Sequence, residues 1–146
     1  MIYQLSHAGI CVSDLNRAVR FYCDGLGFDL AERFELDSTM MHGLERTLEA
    51  GEPVSITSQF IQKDGTRIEL LAYTSPGTVG APSATRRQLG LTHLSFYVDD
   101  VDEAGKRLVE FGGQVLDDTR TSAGIEMLFL ADPDGTRVEL MAPRPS

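Results

Sequence analysis

The sequence predicts an α+β fold made of two paired βαβββ modules, with the helices outside the sheet. Three observations lead there: an internal repeat, a doubled turn-and-strand phrase, and a linker-like stretch between the two copies. "HAGICVSDLNRAVRFYCDGLGFDL" (7–30) overlays "HLSFYVDDVDEAGKRLVEFGGQVL" (93–116) at an offset of 86 residues. That overlay aligns His7 with His93, Val12 with Val98, Asp14 with Asp100, Ala18 with Ala104 and Gly27 with Gly113. "KDGTRIELL" (63–71) and "PDGTRVELM" (133–141) match at an offset of 70, so the first copy holds 16 more residues. The surplus is assigned to "ELDSTMMHGLERTLEAGEP" (35–53), which has no counterpart in the second copy. Between the copies, "SPGTVGAPSATRRQLG" (75–90) has the Gly, Pro and Ser content of a linker. The chain is therefore expected to be one domain of two modules, 1–74 and 91–146.

Each element follows from local pattern. A first strand is expected over 4–12 and again over 91–98. In the second copy Leu94, Phe96 and Val98 alternate with His93, Ser95 and Tyr97. A helix follows, entered at Ser13-Asp14 or Asp99-Asp100, where an acidic side chain can accept from the first free N–H groups. Its apolar positions are Leu15, Ala18, Val19 and Tyr22, and Val101, Ala104, Leu108 and Phe111 in the second copy. It ends near Gly25–Gly27 or Gly112–Gly113, where a left-handed residue is needed. Three strands complete each module, the last two joined through Asp-Gly, a hairpin signal. One such module leaves a sheet face uncovered, so two must pair.

Composition narrows the function classes. A net charge of −9 disfavours nucleic acid or an anionic membrane surface as the main partner. No apolar run approaches the roughly 18–20 residues of a membrane span, and "MIYQLSHAGICV" has no basic leader or cleavage site, so a cytoplasmic protein is expected. Cys11 and Cys23 form no metal-type pair and are expected to be reduced, half-buried thiols.

The phrase after each turn poses a chemical question. Ile68 and Leu70, like Val138 and Leu140, share one strand face that can lie beneath a helix. The other face carries Arg67, Glu69 and Leu71, or Arg137, Glu139 and Met141. Each glutamate then points into whatever the sheet encloses, as does the histidine that opens each copy, whose neighbours two residues on are Gly9 and Ser95. Taken singly, a strand histidine is usually a hydrogen-bonded core or surface residue, and a strand glutamate is solvated or paired with an arginine. Their joint recurrence is more specific, because two of only three histidines fall in register. Two imidazoles and two carboxylates on an inward face suit one divalent ion with open positions, be it zinc, nickel, cobalt, manganese or ferrous iron. His42, the third histidine, lies in the unmatched segment and is read as an exposed loop residue.

The pattern resembles the vicinal oxygen chelate superfamily, which includes glyoxalase I, methylmalonyl-CoA epimerase, extradiol dioxygenases and bleomycin-resistance proteins. The similarity runs from "SHAGICVSDLNRAVRFYCDGLGFDL" to "LADPDGTRVELMAP", and "FY-x-D-x-LGF" (21–28) and "DPDG-x-x-x-EL" (132–140) are its most characteristic stretches. The resemblance implies a cupped, barrel-like mixed sheet of the glyoxalase type, with one metal ligand on each of four strands. By position these are His7, Glu69, His93 and Glu139. It further implies proton transfer next to a carbonyl, with Glu139 or Glu69 as the base, on a hemithioacetal, an acyl-CoA thioester or a related carbonyl compound. A homodimer is also implied. Glu45 or Glu49 in the extra segment are alternative bases, though both suit an exposed helix. Two other activities occur in such families: an Fe(II)-dependent extradiol-type dioxygenase, and a metal-free small-molecule binding or resistance protein. Antibiotic-sequestering members typically lack the four ligands, and a fourth protein ligand at Glu69 would crowd an extradiol site. Against glyoxalase I itself, "TRTSAGIEM" (119–127) lacks the Lys-His-Gly wording associated with those enzymes.

Overall fold

A computed structural model describes residues 1–51 and 53–143. The chain divides into two compact units, Met1–Cys23 with Gly27–Val79, and Asp24–Leu26 with Gly80–Ser146. Each unit contains one four-stranded mixed sheet, as the α+β reading requires.

In the first unit, β1 (Ala8–Cys11) leads into α1 (Leu15–Val19), which continues as a π-helical segment, Arg20–Gly25. β2 (Asp29–Asp37), the short α2 (Leu44–Thr47), β3 (Ser55–Lys63) and β4 (Thr66–Ser75) follow. The strand order is β1-β4-β3-β2, with β1 parallel to β4 and the other neighbours antiparallel. The second unit repeats this with β5 (Leu94–Tyr97), α3 (Val101–Glu110), β6 (Gln114–Ser122), β7 (Glu126–Ala131) and β8 (Arg137–Ala142). Its order is β5-β8-β7-β6, with β5 parallel to β8. The first strands are shorter than the expected 4–12 and 91–98, because pairing with β4 and β8 covers only four residues of each.

Both helices start as their sequences dictate. Asp14 and Asp100 are extended, and their carboxylates accept from Arg17 N at 2.9 Å and Glu103 N at 2.8 Å. In α3, Val101, Gly105 and Leu108 are buried against the sheet. A side chain at Gly105 would meet Leu128 Cδ2 at 3.2 Å, so the glycine is what lets this helix lie close to β7. Beneath the helices lie Ile68 and Leu70 in one unit and Val138 and Leu140 in the other, all at most 1% exposed. Such burial stabilises by about 1.5–3 kcal/mol per side chain.

The two D-G-T phrases make different turns. Asp64 (φ 49°) and Gly65 (φ 79°) are both left-handed between the paired Lys63 and Thr66, a two-residue hairpin turn of the primed kind. In the second copy, five residues (132–136) separate the paired Ala131 and Arg137. There Asp132, 4% exposed, accepts from the amides of Asp134, Gly135 and Thr136 at 2.8–2.9 Å. The second turn is thus one residue longer between equivalent strand positions, which the offset of 70 between the phrases conceals.

The extra segment falls within the expected 35–53, after β2, which continues through Glu35 to Asp37. Asp37 accepts from Thr39 N and Met40 N, and Ser38 Oγ both accepts from Val54 N and donates to Val54 O, which ties the ends of the segment together. Leu44, Val54 and Ile56 form a buried cluster joined by Leu36, Leu48, Ala50, Leu71 and Tyr73. His42 is exposed, as expected; Glu49 is exposed and Glu45 half-buried. The linker residues are tied down by Arg86, which donates to the carbonyls of Ser83 and Thr92. Among the described residues, neither cysteine forms a disulfide. Cys11 is exposed rather than half-buried, because it follows His7 and Gly9 on the sheet face away from the helix.

Candidate metal centre

Parallel pairing sets the site in each unit. Gly9 lies opposite Glu69 and Ser95 opposite Glu139, so the histidine two residues earlier reaches the same glutamate. His7 Nε2 lies 3.1 Å from Glu69 Oε2, and His93 Nε2 lies 3.3 Å from Glu139 Oε2. The side chains are 32% and 20% exposed in the first pair and 29% and 13% in the second, so all four groups remain reachable. The residues singled out by the repeat are therefore brought together two by two. Among the described residues, neither unit alone gathers three or more His, Cys, Asp or Glu side chains in a metal-binding group.

The likeness extends to groups the sequence reading missed. A hydroxyl precedes each histidine, with Ser6 Oγ 2.9 Å from His7 Nδ1 and Thr92 Oγ1 2.7 Å from His93 Nδ1. An aromatic ring sits edge-on to each imidazole: Phe60 at 5.0 Å from His7 and Phe129 at 5.1 Å from His93. These phenylalanines lie directly opposite the two glutamates across the hairpin. Ser-His and Thr-His were visible signals one residue before the overlay began. The phenylalanines were hidden because they match at an offset of 69, not 70, owing to the longer second turn.

This donor set fits a divalent cation. A histidine whose Nε2 faces a carboxylate carries its proton there, and its Nδ1 then accepts from the hydroxyl. Binding a cation through Nε2 requires the proton on Nδ1, where the same hydroxyl oxygen can accept it. Each ring thus has a partner in either tautomer, and each carboxylate supplies a hard oxygen beside a borderline nitrogen.

The surroundings differ between units. In the first, Ser58 Oγ donates to the other oxygen of Glu69 at 2.6 Å. Arg67, two residues before Glu69, pairs with Glu32 at 2.5 Å and lies 4.8 Å over the Phe60 ring. That pairing holds the Glu32 carboxyl below its ordinary pKa. Farther along the Glu69 face, burial pushes the Tyr73 hydroxyl upward, aided by nearby Cys11 and Glu69, so it stays protonated at neutral pH. Tyr73 also belongs to the cluster that seats the extra segment, which therefore covers one end of the His7–Glu69 face. In the second unit, Ser95 and Tyr97 are exposed beside His93, as the alternation predicts.

Comparison with known proteins places these features in a family. The model of the Glyoxalase/Bleomycin resistance protein/Dioxygenase superfamily matches residues 4–140. A catechol-2,3-dioxygenase of Bacillus subtilis is 28% identical over 97% of this chain, which spans only 42% of that protein. An ethylmalonyl-CoA/methylmalonyl-CoA epimerase of Cereibacter sphaeroides is 32% identical over 96% of this chain and 98% of its own length. Among solved structures, a glyoxalase family protein from Bacillus cereus superposes with a TM-score of 0.80 at 20% identity, covering 97% of this chain and 94% of that one. Relatives of such different activities leave the reaction to be argued from the site. The repeat, the two mixed sheets and the match over nearly the whole length make this chain a member of the Glyoxalase/Bleomycin resistance protein/Dioxygenase superfamily.

Proposed function

We propose that the protein is a metal-dependent lyase or isomerase that moves a proton next to a carbonyl, in the manner of glyoxalase I or methylmalonyl-CoA epimerase. The observation that carries this reading is the doubled His–Glu pair, in the same strand register and backed by a hydroxyl in both units. His7, Glu69, His93 and Glu139 are the proposed ligands of one divalent ion (zinc, nickel, cobalt, manganese or iron). When bound, such an ion supplies Lewis-acid stabilisation of charge developing on a substrate oxygen. The chain does the rest. The two imidazoles donate as neutral ligands with their Nδ1 protons held by Ser6 and Thr92. A carboxylate, Glu139 or Glu69, removes the proton from carbon and returns it to the neighbouring carbon or to the opposite face of the same one. Phe60 and Phe129 shield the inner edges of the rings from water. The substrate is a hemithioacetal, an acyl-CoA thioester or a related carbonyl compound, and the protein works in the cytoplasm as a homodimer. The epimerase relative, matched along its full length, supports the acyl-CoA alternative.

The test is solvent deuterium exchange into candidate substrates by protein loaded with each ion in turn. Glu139→Gln is expected to abolish exchange and turnover while circular dichroism stays unchanged. Retained turnover with retained metal would remove Glu139 from catalysis. A second reading, an Fe(II)-dependent extradiol-type dioxygenase, is favoured by the 28% identity to a catechol dioxygenase. It predicts oxygen consumption with catechol that depends on ferrous iron, and no deuterium exchange. A metal-free binding protein would take up no stoichiometric ion.

A further inference from the structure

The two His–Glu pairs match closely until one looks behind the glutamates. Glu69 is held at both carboxylate oxygens, Oε2 by His7 Nε2 at 3.1 Å and Oε1 by Ser58 Oγ at 2.6 Å. Ser58 is 2% exposed, on β3, opposite Leu71 and two residues from Phe60. The place equivalent to Ser58 in the second unit, two residues before Phe129 and opposite Met141, is Met127. A thioether cannot donate a hydrogen bond. Glu139 is accordingly held only through Oε2, by His93 at 3.3 Å, among the described residues. A short bond from a hydroxyl to a carboxylate, made from a buried position, is the stronger kind and fixes the orientation of the acceptor. The sequence gives no warning of this, since "SQF" and "MLF" differ in many ways besides the hydroxyl.

We propose that Ser58 is a positioning residue: its hydroxyl fixes the Glu69 carboxylate in one orientation as a permanent ligand, and the second unit omits this restraint so that Glu139 can turn. This rests on the metal-dependent reading above. Ser58 touches neither ion nor substrate; it acts through Glu69. The two carboxylates, similar in sequence context, then differ in duty. Glu69 would serve as a fixed ligand to a bound ion, and Glu139, held at one oxygen only, would be left free to act as the base.

Two measurements on the full chain test this. The first needs no ion: crystal structures of metal-free wild type and Ser58→Ala. Glu69 is expected in one rotamer in the wild type and in several in Ser58→Ala, with Glu139 alike in both. A single unchanged Glu69 rotamer in Ser58→Ala overturns the proposal. The second is titration of metal-free protein with Co(II), followed by calorimetry, in a double-mutant cycle. Ser58→Ala is expected to weaken Co(II) binding about tenfold or more, both alone and with Glu139→Gln, and under about twofold with Glu69→Gln. An equal loss in all three backgrounds marks general destabilisation and overturns it. Ser58→Cys, which keeps a weak donor of similar size, serves if the alanine variant does not fold. Wild-type protein that takes up no Co(II) sinks the metal-dependent reading instead, while the rotamer comparison still decides whether Ser58 holds Glu69.

Discussion

Behind each candidate ligand stands a residue that costs little in sequence and decides much in chemistry. Ser6 and Thr92 are ordinary hydroxyl residues, yet each lies within 2.9 Å of a histidine Nδ1. Neither would attract notice without the histidine beside it. Their value is that a hydroxyl can donate or accept, so the ring is held in orientation whichever nitrogen carries the proton. Alanine at either position leaves Nδ1 to water and lets the ring rotate. Ser6→Ala and Thr92→Ala are each expected to weaken Co(II) or Mn(II) affinity by about tenfold, with unchanged circular dichroism. Calorimetric titration reads the effect, and wild-type affinity in both variants would show that the hydroxyls are incidental.

At the scale of elements, the sequence was legible where spacing is local and misleading where it is not. The helix caps at Asp14 and Asp100 and the apolar faces at Ile68, Leu70, Val138 and Leu140 follow from pattern, whereas the four-residue parallel pairing of β1 on β4 and of β5 on β8, shorter than the expected strands, does not. The recurrence of His and Glu on one strand face was legible, and it is this parallel pairing that turns the repeated spacing into a repeated contact. Ser58 and the two phenylalanines were not legible, since they come from β3 and β7, where the copies share few letters. The D-G-T phrases show the limit best: one wording serves a two-residue turn in β3–β4 and a five-residue turn in β7–β8. The energetics of the two turns differ accordingly. Gly65 (φ 79°) has open space around it, so Gly65→Ala carries backbone strain alone, about 1–2 kcal/mol. Asp132→Ala strips a buried acceptor from three amide groups of a half-buried turn, and a charge-assisted bond contributes about 1.5–3 kcal/mol. Urea midpoints at constant slope are expected to fall further for Asp132→Ala than for Gly65→Ala. The reverse order would mean that the long turn is held by other contacts.

For the whole molecule, the decisive question is whether two units that each fold around their own sheet act as one binding site. Each supplies two donors, and two donors alone bind a divalent ion weakly compared with four. An ion that binds only the folded chain stabilises it by mass action, about 2.7 kcal/mol at a hundredfold excess over Kd. For a chain of this size that corresponds to a rise of about 5–11 °C in Tm. If the proposed four ligands act together, His7→Ala and His93→Ala must each abolish most of that rise, although they lie in different units. Independent sites would behave otherwise, since either variant would then leave about half the bound ion and a sizeable part of the thermal shift. Differential scanning calorimetry with and without Mn(II), alongside elemental analysis of the bound ion, separates the two cases. A stoichiometry near one ion per chain, lost in both histidine variants, is the result expected of a shared centre. Half occupancy in each variant would instead give every unit a metal of its own and remove the basis for a four-ligand catalyst.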